Sequence, residues 1–574
     1  MRNNRNFATT QTLVGALLFI CALLFYYFSV LTIDYRDTSL LDLGQSDATH
    51  YFAQAKALLR YGLPSVQIGY DKMPSLWPAG YPALMLPWLK ILPQTDSILA
   101  PFRTNQTIGL LLLFGVFGFY LYLAMPLTGG FAALLLATLP GFFTFCRSPL
   151  SDISASAFVA VAFMFAYLGL KEERRWKIYL SAAFLGLSLN IRLQSIFFVP
   201  LLLAMTLFPV EEVRVRWLLH CLALPIVFAL AASPLLVLNT IQFHSPLQTG
   251  YGYYLNPVLT KVALFSWRYI PDNAALLWRE LVLRPQKYTA LNQFGTGTCF
   301  VAAFIVLACL GVFFIRLNRF VFCAFSAGLS FFALTNCLFP VMYLGYYLPF
   351  LMLLVAVAVL PVTWAVENLV LPKRTIASLA IFVLFAAAAL GYPSRSVDPR
   401  LKADRLQSWE ALHFSTRARQ SAEFIAQRRF IESVGQPGGL VFSDISPVYL
   451  NALFPPGFVA APLDGKRYIQ FRHIVPYDHA QAVALAELSL DRSIPVYALF
   501  ISTKELDEKG SRLPNAPGYQ WMPAGDTKGD AVILRLTSTQ WLGEQSVFRW
   551  RTVPRFYSPL RKHSFRFIDP EQDA

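Results

Sequence analysis

Charged residues are scarce in this sequence. Only 14% of its 574 residues are Asp, Glu, Lys or Arg, whereas 56% are hydrophobic, and the mean hydropathy is +0.49. A soluble globular domain carries about 25% charged residues. A composition this poor in charge therefore excludes a chain that is soluble throughout and indicates a polytopic membrane protein.

Cysteine is also scarce. The seven cysteines all lie in or beside apolar stretches, and none forms a CxxC pair (Cys21, Cys146, Cys221, Cys299, Cys309, Cys323 and Cys337). This distribution excludes a disulfide framework and a cysteine-rich zinc site. Long polar segments without cysteine favour a bacterial envelope over the lumen of the endoplasmic reticulum.

The signatures of common soluble enzymes are missing. The sequence contains no GxSxG, P-loop or GxGxxG motif. Its net charge of +15 does not indicate nucleic-acid binding, because many Lys and Arg residues lie in short loops between apolar stretches, where they orient a membrane protein. We therefore expect no nucleic-acid partner.

About eleven apolar stretches approach the roughly 20 residues that a membrane-spanning helix needs. They are Leu13–Ile33, Thr107–Ala124, Gly130–Phe145, Ser154–Leu170, Lys177–Leu189, Ser195–Pro209, Trp217–Leu238, Cys299–Ile315, Phe320–Cys337, Met342–Val362 and Thr375–Gly391. Alternating their direction places five basic clusters on one side: Arg2/Arg5, Lys171/Arg174/Arg175/Lys177, Arg214/Arg216, Arg316/Arg319 and Lys373/Arg374. The positive-inside rule then predicts a cytoplasmic N-terminus, and it places the loops 34–105, 146–153, 190–194 and 239–298 outside.

The tail from residue 392 has a different composition, because charge and proline rise and the long apolar runs end. Periodicity predicts helices over Ala418–Ile431 and Ala480–Leu490, and short buried strands over Gly439–Asp444, Ile494–Ser502 and Ala531–Leu536. We expect two domains: a polytopic α-helical membrane domain over 1–391 that carries the site, and an extracytoplasmic α/β domain over 392–574.

The longest polar interruption of the N-terminal half runs from Gly44 to Pro82. Asp47 opens a predicted helix, with Ser46 as its N-cap and apolar residues at helical spacing (Ala48, Tyr51, Phe52, Ala55 and Leu59). Gly62 and Pro64 should end this helix. The polar cluster Asp71-Lys72-Met73-Pro74 and the rigid turn Trp77-Pro78-Ala79-Gly80-Tyr81-Pro82 follow.

These three pieces, in this order, resemble the first extracytoplasmic loop of the GT-C membrane glycosyltransferases, in the bacterial branch related to protein O-mannosyltransferases and the lipid A aminoarabinose transferase. In that family the loop reads Asp-Glu-x-x-Tyr, and its Asp is the expected catalytic base. Here Asp47 and Tyr51 match, while Ala48 replaces the Glu. The resemblance implies a GT-C-like fold with a sugar donor carried on a polyprenyl phosphate.

Candidate residues for this chemistry follow from charge and position. Asp47 is the candidate base, with Asp42 as a weaker substitute; its structural alternative is a helix-capping acid. Lys72, Arg192 and Arg147 are candidates for binding the donor phosphate, since cations stabilise a departing phosphate. Their alternative is a lysine or arginine that reaches the lipid headgroups or packs between helices.

Further candidates contact the acceptor, the sugar or a metal ion. His50, Tyr51 and Asp71 are candidates for acceptor or sugar contacts. Asp47 and Asp152 are candidate ligands of a divalent metal ion, the possible cofactor, because hard cations prefer carboxylate oxygens; Asp152 otherwise caps the following helix. Lys261 and Arg268 are weaker phosphate candidates.

The sequence therefore predicts an inverting glycosyltransferase of the bacterial inner membrane. Its partners would be membrane lipids, a polyprenyl-phosphate-linked sugar, and a glycan, lipid or protein acceptor. A transporter or flippase of lipid-linked glycans is the alternative, although such proteins usually show repeated halves. A non-catalytic envelope protein and a glycan ligase or oligosaccharyltransferase also remain open.

Overall fold

The computed structural model describes residues 2–31, 46–198, 214–251, 266–273, 310–311, 348–367, 422–434, 438–455, 457–463, 479–524, 531–538, 555–558 and 563–566. Asp42, Lys261 and the predicted spans Phe320–Cys337 and Thr375–Gly391 lie outside these residues, as does Cys299–Ile315 apart from residues 310–311. The chain divides into two compact units. Unit 1 falls within Met1–Asp34, Pro101–Leu235 and Val262–Thr416, and unit 2 within Tyr35–Ala100, Leu236–Lys261 and Arg417–Ala574.

Unit 1 is helical. Its helices are α1 (Arg2–Tyr26), α4 (Ala100–Tyr122), α5 (Pro126–Thr138), α6 (Pro140–Cys146), α7 (Asp152–Lys171), α8 (Arg175–Ile191), most of α9 (Arg214–Phe243) and α10 (Leu348–Glu367). Among the described residues, four helical stretches are long and apolar enough to cross a membrane: Gln11–Leu31, Asp96–Tyr122, Asp152–Lys171 and Leu219–Phe243. The total of eleven spans stays a prediction.

Glycines allow close helix contacts in unit 1. A side chain at Gly130 on α5 would clash with the Gly15 carbonyl oxygen on α1. Small residues at such crossings let two backbones approach closely, and the resulting van der Waals packing contributes to helix association in a membrane. The pair α7 and α8 shares an apolar core that includes Val159, Phe163 and Leu185.

A buried amide compensates for an irregular stretch of α9. The Asn190 side chain donates to the Ala231 carbonyl at 2.8 Å and accepts from the Leu235 amide at 2.8 Å. Asn190 therefore hydrogen-bonds to both groups of an i→i+4 pair, next to Pro234, which has no amide hydrogen to donate. Because lipid offers no hydrogen bonds, a polar side chain is one of the few groups that can pair with the backbone N–H and C=O groups left free here.

Unit 2 combines an N-terminal segment with the tail. The N-terminal segment contributes α2 (Ser46–Tyr61), the hairpin β1 (Val66–Ile68) and β2 (Asp71–Met73), and α3 (Gly80–Ile91). The tail contributes α11 (Ala422–Val434), β3 (Gly439–Ser443), α12 (Pro447–Leu453), β4 (Phe458–Pro462), α13 (His479–Asp491), β5 (Val496–Phe500), α14 (Thr503–Lys509), β6 (Tyr519–Pro523), β7 (Val532–Ser538), β8 (Arg555–Ser558) and β9 (His563–Arg566). The predicted tail strands correspond to β3, β5 and β7, and the predicted tail helices to α11 and α13.

The tail strands form a mixed sheet in the order β4-β3-β5-β7-β6. The pairs β3–β4 and β3–β5 are parallel, and β7 runs antiparallel to β5 and β6. Strands β3 and β5 are buried along their whole length, as expected for central strands covered on both faces. A second sheet has the order β1-β2-β8-β9 and joins the hairpin to the end of the chain.

The hairpin is docked on the tail by specific polar contacts. The Gly69 amide donates to the Ala460 carbonyl at 2.8 Å. The Asn451 side chain donates to the Gln67 carbonyl at 2.9 Å and accepts from the Ala460 amide at 2.7 Å. The Tyr70 ring packs on the core of the tail, and its hydroxyl lies 2.9 Å from the Ser489 hydroxyl. The N-terminal segment and the tail thus fold as one body.

Candidate functional site

Asp47 lies in the first turn of α2 and is partly exposed. The predicted helix is confirmed: it begins at Ser46 and ends at Tyr61, where Gly62 adopts a φ of +70° and donates its amide to the Leu58 carbonyl. Of the predicted apolar face, Leu59 is the exception, because 43% of it is exposed. A carboxylate at this end of a helix is stabilised by the helix dipole.

The motif pieces that are separated in sequence meet around α2. The rings of Tyr51 and Tyr81 are perpendicular, with centroids 5.1 Å apart, and the rings of His50 and Trp77 are 4.8 Å apart. His50, Tyr51, Trp77 and Tyr81 are all buried. The turn that contains Trp77 and Tyr81 therefore fixes the helix that carries Asp47.

Burial also sets the charge of His50. It lowers the pKa of the imidazole from its ordinary 6.5 to about 3. The ring is therefore neutral at physiological pH, as desolvation disfavours the cation. In that state it can hydrogen-bond but cannot supply a positive charge to a phosphate.

A second stretch of chain braces the motif segment from the end of α9. The Gln242 side chain donates to the Pro64 carbonyl at 2.7 Å. A side chain at Gly250 would come within 2.5 Å of the carbonyl oxygens of Ser75 and Leu76. The loop predicted at 239–298 thus begins inside α9, which ends at Phe243, and Gly250 is required by a close backbone contact.

Lys72 lies on β2, and only 5% of it is exposed. Its ammonium nitrogen lies 2.9 Å from the centroid of the Tyr61 ring, a cation–π contact. Tyr61 ends α2, fourteen residues after Asp47, or about 21 Å along the helix axis. In this structure the predicted base and the predicted phosphate lysine lie near opposite ends of α2. Asp71 precedes Lys72 on the same strand.

A cavity of about 300 Å³ opens beside the C-terminal half of α2. Its cationic lining residues are Lys56, Arg60 and Lys72, and α12 with its following residue contributes Asn451, Ala452 and Phe454. Burial and the neighbouring Arg60 charge lower the pKa of Lys56 to about 8 and that of Lys72 to about 7. Lys56 and Arg60 were missed by sequence reasoning, although their i,i+4 spacing on the polar face of a predicted helix was visible.

The remaining predicted residues lie in unit 1. Asp152 begins α7 and is 1% exposed, and its carboxylate pairs with the guanidinium of Arg192, which is 15% exposed and directly follows α8. Two helix ends are therefore joined by a buried ion pair. Arg147 is partly exposed in the turn between α6 and α7.

Asn105 holds this turn and was not singled out from the sequence. Its amide donates to the carbonyls of Ser148 and Leu150 at 2.6 Å, and its oxygen accepts from the Ser154 hydroxyl at 2.8 Å. Asn105 lies in the polar first turns of α4, in the run Arg103-Thr104-Asn105-Gln106, so no local feature of the sequence distinguished it from its neighbours.

The predicted metal ligands are not assembled in one unit. Within the part of the chain that the structure describes, no three His, Cys, Asp or Glu side chains cluster as a metal site would require. Asp152 is paired with Arg192, and a neighbouring guanidinium opposes a second cation at that carboxylate. Asp47 and Asp152 belong to different units, so a metal requirement stays a prediction.

No protein-family model matches the sequence, and no curated protein matches it. Solved structures do resemble the chain. ArnT from Cupriavidus metallidurans bound to undecaprenyl phosphate aligns with a TM-score of 0.59 at 12% identity, over 92% of this chain and 99% of that chain. The apo form of the same protein gives a TM-score of 0.55 at 12% identity, over 91% and 97%.

An oligosaccharyltransferase from Archaeoglobus fulgidus in the apo form gives a TM-score of 0.48 at 15% identity, over 92% of this chain and 74% of that chain. The two ArnT alignments extend over nearly the whole of both chains, so both units take part in the resemblance. At 12% identity, that resemblance concerns the fold. The chain shares the fold of the GT-C membrane glycosyltransferases.

Proposed function

We propose that the protein is an inverting glycosyltransferase that moves a sugar from a polyprenyl phosphate to an envelope acceptor on the outer face of a bacterial inner membrane. One observation carries this proposal: the chain has, over nearly its whole length, the fold of an ArnT structure that contains undecaprenyl phosphate. The outer-loop motif of the sequence points to the same reaction. The tail would then be extracytoplasmic, with the N-terminal segment docked on it.

The proposed reaction is a single displacement. The acceptor hydroxyl or amine attacks the anomeric carbon, and its proton passes to the Asp47 carboxylate. The bond between the anomeric carbon and the phosphate oxygen breaks, and the polyprenyl phosphate leaves with the electron pair. Asp47 suits the part of base because it is accessible, while the buried rings of Tyr51 and Trp77 fix its helix. Positioning and charge stabilisation supply most of the rate in such transfers.

The cations proposed for the departing phosphate are Arg192, Arg147 and Lys72. Asp152 orients the Arg192 guanidinium, whose five N–H donors suit a phosphate. Lys72 takes this part only if its ammonium leaves the Tyr61 ring, because that ring lies near the far end of α2 from Asp47. His50, Tyr51 and Asp71 remain proposed contacts of the acceptor or sugar. The first two are buried, and their rings pack against Trp77 and Tyr81.

The proposal is tested in a deletion strain that is complemented with variants. Extracted lipids and envelope glycans should lose one modified species on deletion, and the wild-type gene should restore it. Asp47→Asn should fail to restore it although the protein is present at normal levels in the membrane. Asp96→Asn, which alters another partly exposed acid of the same segment, is the matched control and should restore it.

Full restoration by Asp47→Asn would remove Asp47 from the mechanism.

The alternative function, a transporter of lipid-linked glycans, is distinguished by assaying the purified protein in detergent. A detergent micelle has no two sides, so a transporter has no turnover there, whereas a transferase still converts a polyprenyl-phosphate sugar and an acceptor extract into product. Absence of any product with the wild-type protein, under conditions where the deletion phenotype is clear, would favour the transporter.

A further inference from the structure

Gln54 is a buried polar residue of the motif helix α2 that has no part in the proposed function so far. Only 1% of it is exposed, and its neighbours Ala53 and Ala55 are buried as well. Among the residues that the structure describes, no group pairs with its side-chain nitrogen. A buried donor without a partner destabilises a fold, so its presence in a native protein needs an explanation, and binding of a ligand is one.

Gln54 lies on the same face of α2 as the proposed base. It follows Asp47 by seven residues, which is about two turns of the helix and about 10 Å along its axis. His50 lies between them, three residues after Asp47 and four before Gln54, so the three side chains form one stripe. Side chains of a helix point back towards its N-terminus, and the longer glutamine reaches further in that direction. Helical geometry therefore directs the Gln54 amide towards the Asp47 end of the stripe.

The polar groups that follow Asp47 on this stripe carry no charge. The amide of Gln54 is neutral, and burial keeps the His50 imidazole neutral by lowering its pKa to about 3. The His50 ring lies against the Trp77 ring, with the centroids 4.8 Å apart. Neutral hydrogen-bonding groups beside an aromatic ring suit the hydroxyl groups of a sugar, whereas a phosphate is bound best by cations.

The separation along the stripe fits the sugar that is transferred. During displacement the acceptor nucleophile lies within hydrogen-bond reach of Asp47 and about 3–3.5 Å from the anomeric carbon. The anomeric carbon is at one edge of the donor sugar, so the hydroxyl groups at the other edge of the ring lie further from Asp47. An amide that begins two helical turns away is placed for such a hydroxyl group rather than for the nucleophile.

We propose that Gln54 binds the donor sugar, and that its amide nitrogen donates a hydrogen bond to a sugar hydroxyl oxygen while Asp47 takes the proton of the acceptor. The inference rests on the proposed function, and it names Gln54 as a residue that selects the sugar. The amide nitrogen is buried here, so the sugar reaches it only when the groups that cover this face of α2 move apart. The new hydrogen bond offsets part of the cost of that movement, whereas a sugar without a hydroxyl group at this position leaves the amide unpaired and is rejected.

The first test measures thermal unfolding of the purified protein in detergent, without any substrate. Gln54→Met keeps the length of the side chain and removes the unpaired donor, so the unfolding temperature should equal or exceed that of the wild type. Thr49→Val is the matched control and should behave in the same way. The buried Thr49 hydroxyl also has no partner among the described residues, but Thr49 follows Asp47 by two residues and lies on the opposite face of α2. A clear fall of the unfolding temperature in Gln54→Met would assign Gln54 to the fold and overturn the proposal.

The second test measures transfer by the same purified variants. Lipid extracted from the deletion strain supplies the donor, because the unused polyprenyl-phosphate sugar should accumulate there. Gln54→Met should lower kcat/KM for this donor by roughly tenfold to a hundredfold, because the sugar loses its hydrogen bond in a buried site. The KM for the acceptor and the affinity for undecaprenyl phosphate, which carries no sugar, should both stay at the wild-type level. Thr49→Val should transfer sugar as the wild type does.

Three results of the second test would contradict the inference. Unchanged transfer by Gln54→Met would exclude its amide from substrate binding. Weaker binding of undecaprenyl phosphate would assign Gln54 to the lipid phosphate, and a higher KM for the acceptor alone would assign it to the acceptor. If the wild type transfers no sugar at all, the proposed function itself fails, whereas the result of the unfolding test is unaffected.

Discussion

The ion pair between Asp152 and Arg192 makes the sharpest prediction about stability. Asp152 is 1% exposed and Arg192 is 15% exposed, so neither charge is well solvated. Removing one partner of a buried pair costs about 3–5 kcal/mol, because the other charge is left uncompensated. Arg192→Gln and Asp152→Asn should each therefore lower the free energy of unfolding by about that amount, at least a hundredfold in the equilibrium constant.

The double variant Asp152→Asn/Arg192→Gln is the informative one. It removes both charges, so we expect it to recover most of the lost stability, since neutral replacement of a buried pair is often tolerated. Unfolding by heat and denaturant in detergent gives the values for the cycle. Lys504→Gln breaks an exposed pair with Glu508 and should change stability by less than about 1 kcal/mol.

The same cycle separates structure from function at Arg192. If Arg192 also binds the donor phosphate, the double variant should be stable yet fail to transfer sugar. A stable double variant with full transfer would restrict Arg192 to a structural role. A double variant that is less stable than both single variants would refute the reasoning, because it would mean that the two charges do not stabilise each other.

Three further predictions concern other parts of the chain. Gly130→Ala should destabilise unit 1 by about 2–3 kcal/mol in thermal unfolding through its clash with the α1 backbone, whereas Gly118→Ala, with no atom within 4 Å, should be neutral or slightly stabilising. Asn451→Ala should lower the free energy of unfolding by about 1–3 kcal/mol and increase protease cleavage of the β1–β2 hairpin, because it leaves buried backbone groups without their hydrogen bonds. Unchanged cleavage would argue against the docking of the hairpin on the tail. The free energy of unfolding should fall as pH drops from 6.5 towards 3, by up to about 1.4 kcal/mol per pH unit, because His50 takes up a proton in the unfolded state that the folded state excludes. His50→Gln should flatten this dependence of the unfolding free energy on pH. An unchanged dependence in that variant would assign the effect to other titratable groups.

Local patterns in the sequence predicted local structure well. Helix α2 begins at Ser46 and ends before Gly62, close to the predicted limits, because a helix stop at a left-handed glycine is a property of a few adjacent residues. The strands β3 and β5 were visible as short apolar runs. The hairpin β1–β2 was missed, since strands of three residues are too short to show an alternating pattern.

Contacts between distant parts of the chain could not be read in this way. The contact from Lys56 to Ala452 spans 396 residues, and nothing near either residue indicates the other. Lys72 and Arg192 were both recognised as unusual cations, but their neighbours, Tyr61 and Asp152, come from other elements. The chemical type of each candidate was thus accessible from the sequence, whereas its partner depended on tertiary structure.

The docking of the hairpin on the tail has a consequence for biosynthesis. The Gln67 carbonyl finds its hydrogen-bond partner 384 residues later, at Asn451. At a ribosomal rate of about 5–20 residues per second, the hairpin waits roughly 20–80 s before that partner exists. During this interval the nascent N-terminal segment exposes unpaired strand edges and the aromatic Tyr70, which makes it a target for chaperones and proteases, and a chain interrupted before residue 451 would leave it in that state.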